Sequence, residues 1–172
     1  MDTGVLVKEA KRGGKEALLQ LVMAQKDDYY RLAYTYTGNS DDAMDSMEDM
    51  IVILYENIYK LKKEEAFYSW SKTILVNCCR KLLRKRKKVL LLEEPQEAAD
   101  GGGLEHKDEQ LVLEKHMAQL SEGCREVLRL RFYMDYDYHT IADITKIPLG
   151  TVKSRISIGL KKLRESLGGE LL

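Results

Sequence analysis

Between residues 93 and 103 the sequence reads EEPQEAADGGG, and this stretch limits what the whole chain can become. Pro95 lacks a backbone donor and clashes with a helical turn, and the three glycines have the most conformational freedom to lose. No regular element is expected to cross it. The predicted organisation is two bodies, residues 1–90 and 111–172, joined by a flexible acidic linker at 91–110. Apolar residues recur at helical spacing on both sides, and Pro148 is the only other proline in 172 residues. Both bodies are therefore expected to be small and all-α.

The first body is expected to begin with a helix from about Val5. It falters at Gly13 and Gly14 and resumes through EALLQLVMAQKDDYYRLAYTYT, with Leu18, Leu21, Val22, Leu32 and Ala33 facing inward. Gly38 and Asn39 stop it, and Ser40 or Asp41 is expected to cap the next helix. On that helix Met44, Met47, Ile51, Leu54 and Ile58 are predicted to share the inner face. KLKKEEAF breaks the pattern and reads as a loop. FYSWSKTILVNCCRKLLRKRKK then starts aromatic, turns apolar and ends basic.

Net charge is zero, with 28 acidic and 28 basic residues, which taken alone argues against a polyanionic partner. The average conceals segregation. Seven of the nine residues 80–88 are basic, seven of the eighteen residues 93–110 are acidic, and so are five of the nine residues 41–49. Blocks of alternating sign predict several partner surfaces. The basic block in particular calls for an anion, since its cations repel one another.

Cys78, Cys79 and Cys124 fit no metal-ligand spacing and read as structural. No nucleophile–base set or phosphate-cradling glycine loop is visible. Asp45 and Asp49 would hold magnesium only with a second acidic cluster from another element, and none is indicated. Neither an enzyme nor a cofactor or small-molecule substrate is expected. The start, MDTGVLVKEAKRGG, has no sustained apolar core, and no stretch reaches the roughly 20 apolar residues of a membrane span. A cytoplasmic protein without direct membrane insertion is expected.

In the second body, SEGCREVLRLRFYM reads as a helix with Ser121 as N-cap. DYHTIADITKIPLGTVKSRISIGLKKL then has the shape of a helix-turn-helix, with helices at about 138–145 and 149–167. Asp137 can cap the first, and Ile141, Ala142 and Ile144 supply its inner face. Pro148 is tolerated only at the start of the second. Lys146 stands in the turn where a left-handed glycine is usual, at a cost on the order of 1 kcal/mol. On the second helix Val152, Ile156, Leu160 and Leu163 pack inward. That leaves Lys153, Ser154 and Ser157 nearest base edges in a major groove, Arg155, Lys161 and Arg164 for phosphates, and Thr151 as a further DNA contact.

Taken together, these blocks resemble a bacterial RNA polymerase sigma factor of the extracytoplasmic-function (ECF) group, in the sigma-70 family. LSEGCREVLRLRFYMDYDYHTIADITKIPLGTVKSRISIGLKKLRE is similar to the family's fourth-region domain, which binds the −35 promoter element. YRLAYTYTGNSDDAMDSMEDMIVILYENIYKL and FYSWSKTILVNCCRKLLRKRKK resemble its second-region domain, which grips polymerase and opens the −10 element. The resemblance implies a −10 surface of Lys62, Lys63, Phe67, Tyr68, Trp70, Asn77, Arg80, Lys81, Arg84 and Lys85. There the loop 62–67 would receive a flipped-out base and Asn77 would contact a base. Aromatic rings stack on unpaired bases while cations follow the backbone, which is the chemistry that melting needs. Phe67 and Trp70 also read as core residues.

The resemblance further implies that Asp45, Glu48 and Asp49 dock on the β′ coiled coil of core RNA polymerase, with the β subunit a second contact. Glu48 stands where glutamine is usual, and Lys63 where glycine is frequent. Promoter DNA and an anti-sigma factor are the other implied partners. The competing reading, a regulator that binds duplex operators through the helix-turn-helix alone, leaves the aromatic-then-basic helix and the acidic segment unexplained.

Overall fold

The computed structural model describes residues 2–92 and 107–168. Nine α-helices and two single 3₁₀ turns make up the regular structure among those residues, with no strand, as the sequence predicts. They are α1 (Thr3–Lys11), α2 (Lys15–Ala24), α3 (Lys26–Thr37), α4 (Ser40–Asn57), α5 (Phe67–Leu92), α6 (Lys107–Ala118), α7 (Glu122–Phe132), α8 (Tyr138–Thr145) and α9 (Leu149–Leu167). Most of the acidic stretch assigned to the linker, residues 93–106, lies outside the described residues.

The long first helix expected from the sequence is three. Gly13 adopts φ 96°, which ends α1. Gly14 then passes so close to Glu9 that a Cβ would lie 2.9 Å from its carbonyl oxygen. A second break, at Gln25, carries no glycine or proline and so leaves no mark in the sequence. It lets α2 bury Ala17, Leu18, Leu21 and Val22 while α3 buries Tyr29, Leu32 and Ala33.

Gly38, at φ 75°, ends α3. The cap of α4 is Asn39 rather than Ser40 or Asp41: its carboxamide oxygen accepts from the Asp42 N–H at 2.9 Å, and its Nδ2 donates to the Asp42 carboxylate at 2.6 Å. The buried stripe of α4 also differs from the predicted one. Ala43, Met47, Met50 and Leu54 are buried, and Met44 is exposed. A 3₁₀ turn, Ile58–Lys60, ends the predicted helix, and the predicted loop holds a second, Glu64–Ala66, with buried Leu61 between them.

Helices α3, α4 and α5 pack side by side around Tyr29, Leu32, Met50, Leu54, Phe67 and Leu75, all fully buried, with α1 and α2 closing one side. The Tyr29 hydroxyl is 2.6 Å from Ser71 Oγ, so the polar end of the ring is satisfied inside the core. Cys78, Cys79 and Cys124 are buried and free. Burial pushes the Cys78 thiol up to about 11 and the Cys79 thiol to about 12, which keeps both protonated and unreactive.

In the second body the predicted caps hold. Ser121 Oγ accepts from Cys124 N–H at 3.2 Å, and Asp137 Oδ1 accepts from Thr140 N–H at 2.8 Å. Leu130, Ile141, Ile144, Val152 and Ile156 form the core. Lys146 takes φ 59°, ψ 33° between α8 and α9, the left-handed corner a helix-turn-helix requires. At Gly159 a Cβ would sit 2.7 Å from Leu128 Cδ1, so a larger residue where α9 crosses α7 requires the Leu128 side chain to shift.

Candidate nucleic-acid interface

Along α9 the inward side carries Val152, Ile156 and Gly159, which are buried. Lys153, Ser154, Ser157, Lys161 and Arg164 are exposed, and Thr151 is half-buried. Ser154 Oγ donates back to the Thr151 carbonyl at 3.2 Å. Arg155 is placed differently from its neighbours: it is half-buried, and its guanidinium lies against Gly123 at the start of α7, where a Cβ would come within 2.9 Å of Cζ.

The aromatic group at the start of α5 divides into core and rim. Phe67 is fully buried, edge-on to Tyr68 with ring centroids 5.2 Å apart and tilted against Trp70 at 6.2 Å. Tyr68 is half-buried, and its hydroxyl donates to the Leu21 carbonyl at 3.1 Å. Trp70 is half-buried and packs on the core. Lys62 and Lys63 are exposed in the extended link between the 3₁₀ turns. Lys11 Nζ donates to the Leu61 carbonyl at 2.6 Å and ties that link to α1, a support that nothing in the local sequence announces.

Further along α5, Asn77, Lys81, Arg84 and Lys85 are exposed. The basic run is not a uniform solvated stripe, because some of its cations have partners within the chain. Arg86 pairs with Asp42, whose side chain is buried beneath Asn39 at the start of α4. Arg80 forms a two-pronged ion pair with Glu126 of α7, its Nε 3.1 Å from Oε2. Burial works against the Arg80 charge, and Glu126 more than offsets it, holding the guanidinium above its ordinary pKa. Around this pair a cleft of about 550 Å³ separates α5 from α7, lined by Asn77, Arg80, Arg84 and Lys87 on one side and by Arg125 and Glu126 on the other.

On α4, Asp45, Glu48 and Asp49 are exposed and alternate with buried Ser46, Met47 and Met50. Met44, Val52 and Tyr55 on the same helix are exposed too. Exposed apolar residues interleaved with acids have the make-up of an interface core within a charged rim. The predicted inner stripe includes Met44, so the sequence shows the acids of this face but not its apolar part. Among the described residues no helix is long and apolar enough to cross a membrane.

Residues 21–89 match the protein family described as Sigma-70 region 2, and residues 116–165 match Sigma-70, region 4. The chain is 30% identical over 160 residues to the RNA polymerase sigma factor SigV of Bacillus subtilis (strain 168), covering 93% of this chain and 96% of that one. It is 27% identical to the ECF RNA polymerase sigma factor SigW of the same organism, over 94% of each. Two solved structures share the fold. The complex of CnrH with the cytosolic domain of CnrY gives a TM-score of 0.70 at 21% identity, over 98% of this chain and 99% of that one. The sigma factor RpoE with the anti-sigma factor NepR from Bartonella quintana gives 0.62 at 23%, over 87% and 95%.

Proposed function

The chain belongs to the sigma-70 family as a sigma factor of the ECF type, and from that premise we propose how its surfaces divide the work of promoter recognition and melting. The −35 element is read by α9, and the −10 element is opened by the start and outer face of α5. Core polymerase is held by the acidic face of α4. The protein contributes no catalytic group of its own. It positions polymerase and stabilises separated strands.

The observation that carries the division is the helix-turn-helix itself. A left-handed Lys146 sets α9 at an angle to α8, and the exposed side of α9 combines short hydroxyls with cations. Ser154, Ser157 and Lys153 near its N-terminal half suit base edges, while Lys161 and Arg164 one and two turns on suit phosphates. Arg155, lying on Gly123, orients α9 against α7 and contributes its charge from the side. In the N-terminal body, Trp70 and Tyr68 offer ring surface next to Asn77 and exposed Lys81, Arg84 and Lys85, which fits a strand that is stacked and followed along its backbone.

Run-off transcription with purified core polymerase on a library of promoter fragments tests this reading. Factor-dependent transcripts from a subset sharing two spaced motifs are expected. Absence of such transcripts, with tight polymerase-independent binding to duplex DNA, would replace it with the operator-binding regulator. Within the −35 contact, Lys153→Ala is expected to weaken binding by about 1–3 kcal/mol with a loss that depends on sequence. Lys161→Ala should weaken it evenly across sequences and lower the salt slope by about one. Equal, sequence-blind losses for both, in titrations of holoenzyme on matched and altered −35 elements, would remove direct readout from α9.

Both solved structures above hold the similar chain with a second protein, which in the RpoE complex is an anti-sigma factor. An anti-sigma factor is accordingly the expected negative regulator of this chain.

A further inference from the structure

Residues 61–63 join the two 3₁₀ turns and open the loop 62–67. The chain runs extended through them, with ψ 119° at Leu61 and φ −119°, ψ 122° at Lys63. Each end of this link is closed by a backbone bond. Leu61 N–H donates to the Ile58 carbonyl at 3.1 Å, and Ala66 N–H donates to the Lys63 carbonyl at 3.1 Å. Between those ends the Leu61 carbonyl has no backbone donor among the described residues. It accepts instead from Lys11 Nζ at 2.6 Å, from a residue 50 positions earlier. Lys62 and Lys63 follow directly. Both are exposed and form no ion pair among the described residues, so their own side chains do not fix the path of the link.

Lys11 is well placed to fix it. It is the last residue of α1, which is anchored by buried Leu6, Val7 and Ala10 and stopped by Gly13 at φ 96°. The same helix packs against both 3₁₀ turns, so donor and acceptor are carried by elements already in contact. Lys11 is half-buried and has no carboxylate partner among the described residues, which leaves its ammonium to the carbonyl. A charged donor makes a stronger bond there than a neutral one. We propose that Lys11 is a positioning residue for −10 recognition: it holds the Leu61 carbonyl and so sets the path on which Lys62 and Lys63 meet a flipped-out base. A link that must order itself around each base pays for that ordering with every base alike, and a loosely held site discriminates poorly. Helix α1 thereby takes part in promoter choice without touching DNA.

The role of Lys11 rests on the reading of the loop 62–67 as the receptor of a −10 base. Both are tested by run-off transcription with holoenzyme on promoters randomised across the −10 element, the −35 element held constant. Each position's base preference is read as a ratio of transcripts, which does not depend on how much of the factor is folded. Lys63→Ala should shift the preference at one position, the one that the loop reads. Lys11→Met keeps the stem and deletes the donor. It is expected to lower the ratio at that same position about 3- to 10-fold, the range of one hydrogen bond, and to leave the other positions unchanged. Lys11→Arg can still donate and should restore most of the ratio. Lys8→Met, at an exposed lysine of the same helix, should behave as wild type. An unchanged ratio in Lys11→Met, whatever its melting temperature, would make Lys11 a purely structural tie and overturn the proposal, as would an even loss at every position. If Lys63→Ala shifts no position, the reading of the loop has itself failed, and the role of Lys11 falls with it.

Discussion

Phe67→Ala is expected to cost about 3–5 kcal/mol of stability in the N-terminal body, and to abolish promoter opening only because less of the protein is folded. Phe67 has no exposed surface and packs edge-on to Tyr68 and against Trp70. Removing the ring leaves a cavity at the junction of α5 with the core, where α3 and α4 hold the walls and collapse is limited. For a body of this size the melting transition should fall by at least about 10 °C, read by circular dichroism. Trp70→Ala separates the two roles the sequence left combined. Trp70 is half-buried, so its loss should cost clearly less stability. If it stacks on an unpaired base, the variant should still fold and bind polymerase but form open complexes about 10-fold less well, as one lost stacking contact implies. Permanganate reactivity of promoter thymines reads the second effect. A Trp70 variant that melts as early as Phe67→Ala and opens promoters normally, relative to folded protein, would make Trp70 purely structural.

What could be read from the sequence follows how local the cause is. The caps at Ser121 and Asp137, the glycine stop at Gly38 and the start of α9 beside Pro148 each depend on one or two residues, and the structure keeps them. The break at Gln25 depends on how α2 and α3 pack, and no residue there announces it. The inner stripe of α4 was displaced for a related reason: its Met and Ile content is high enough that more than one stripe looks apolar. Burial selects the one with Ala43 and Met50, leaving Met44 on the surface.

Charge is the harder lesson. In the sequence the run at residues 80–88 is a set of cations awaiting an anion, because sequence shows only neighbours in the chain. In the fold, Arg86 reaches Asp42 across 44 residues and Arg80 reaches Glu126 across 46. The acids that compensate the block are thus partly internal. One comes from the start of α4, a turn before the acids that the resemblance assigns to polymerase. Asp42 is buried and structural, whereas Asp45, Glu48 and Asp49 are exposed. One acidic cluster in the sequence is two devices in space.

That separation makes the docking face testable without disturbing the fold. Asp45→Ala, Glu48→Ala and Asp49→Ala together should weaken binding to core polymerase on the order of 100-fold, about 1 kcal/mol or slightly less from each carboxylate. All three lie beyond the first turn of α4, so the dipole gains little from them and its N-cap at Asn39 is untouched. Alanine also favours a helix interior over aspartate. Folding stability should consequently change by less than about 0.5 kcal/mol. Fluorescence titration of labelled factor with core enzyme gives the affinity, and repeating it at rising salt adds a signature. Wild-type affinity should fall steeply with ionic strength as steering and charge pairing are screened, and the triple variant's much less. The exposed Met44, Val52 and Tyr55 beside these acids supply a salt-insensitive remainder, so the two titration series should converge at high salt. Parallel series that never converge would assign the loss to something other than charge, and an unchanged affinity would move polymerase docking off α4 altogether.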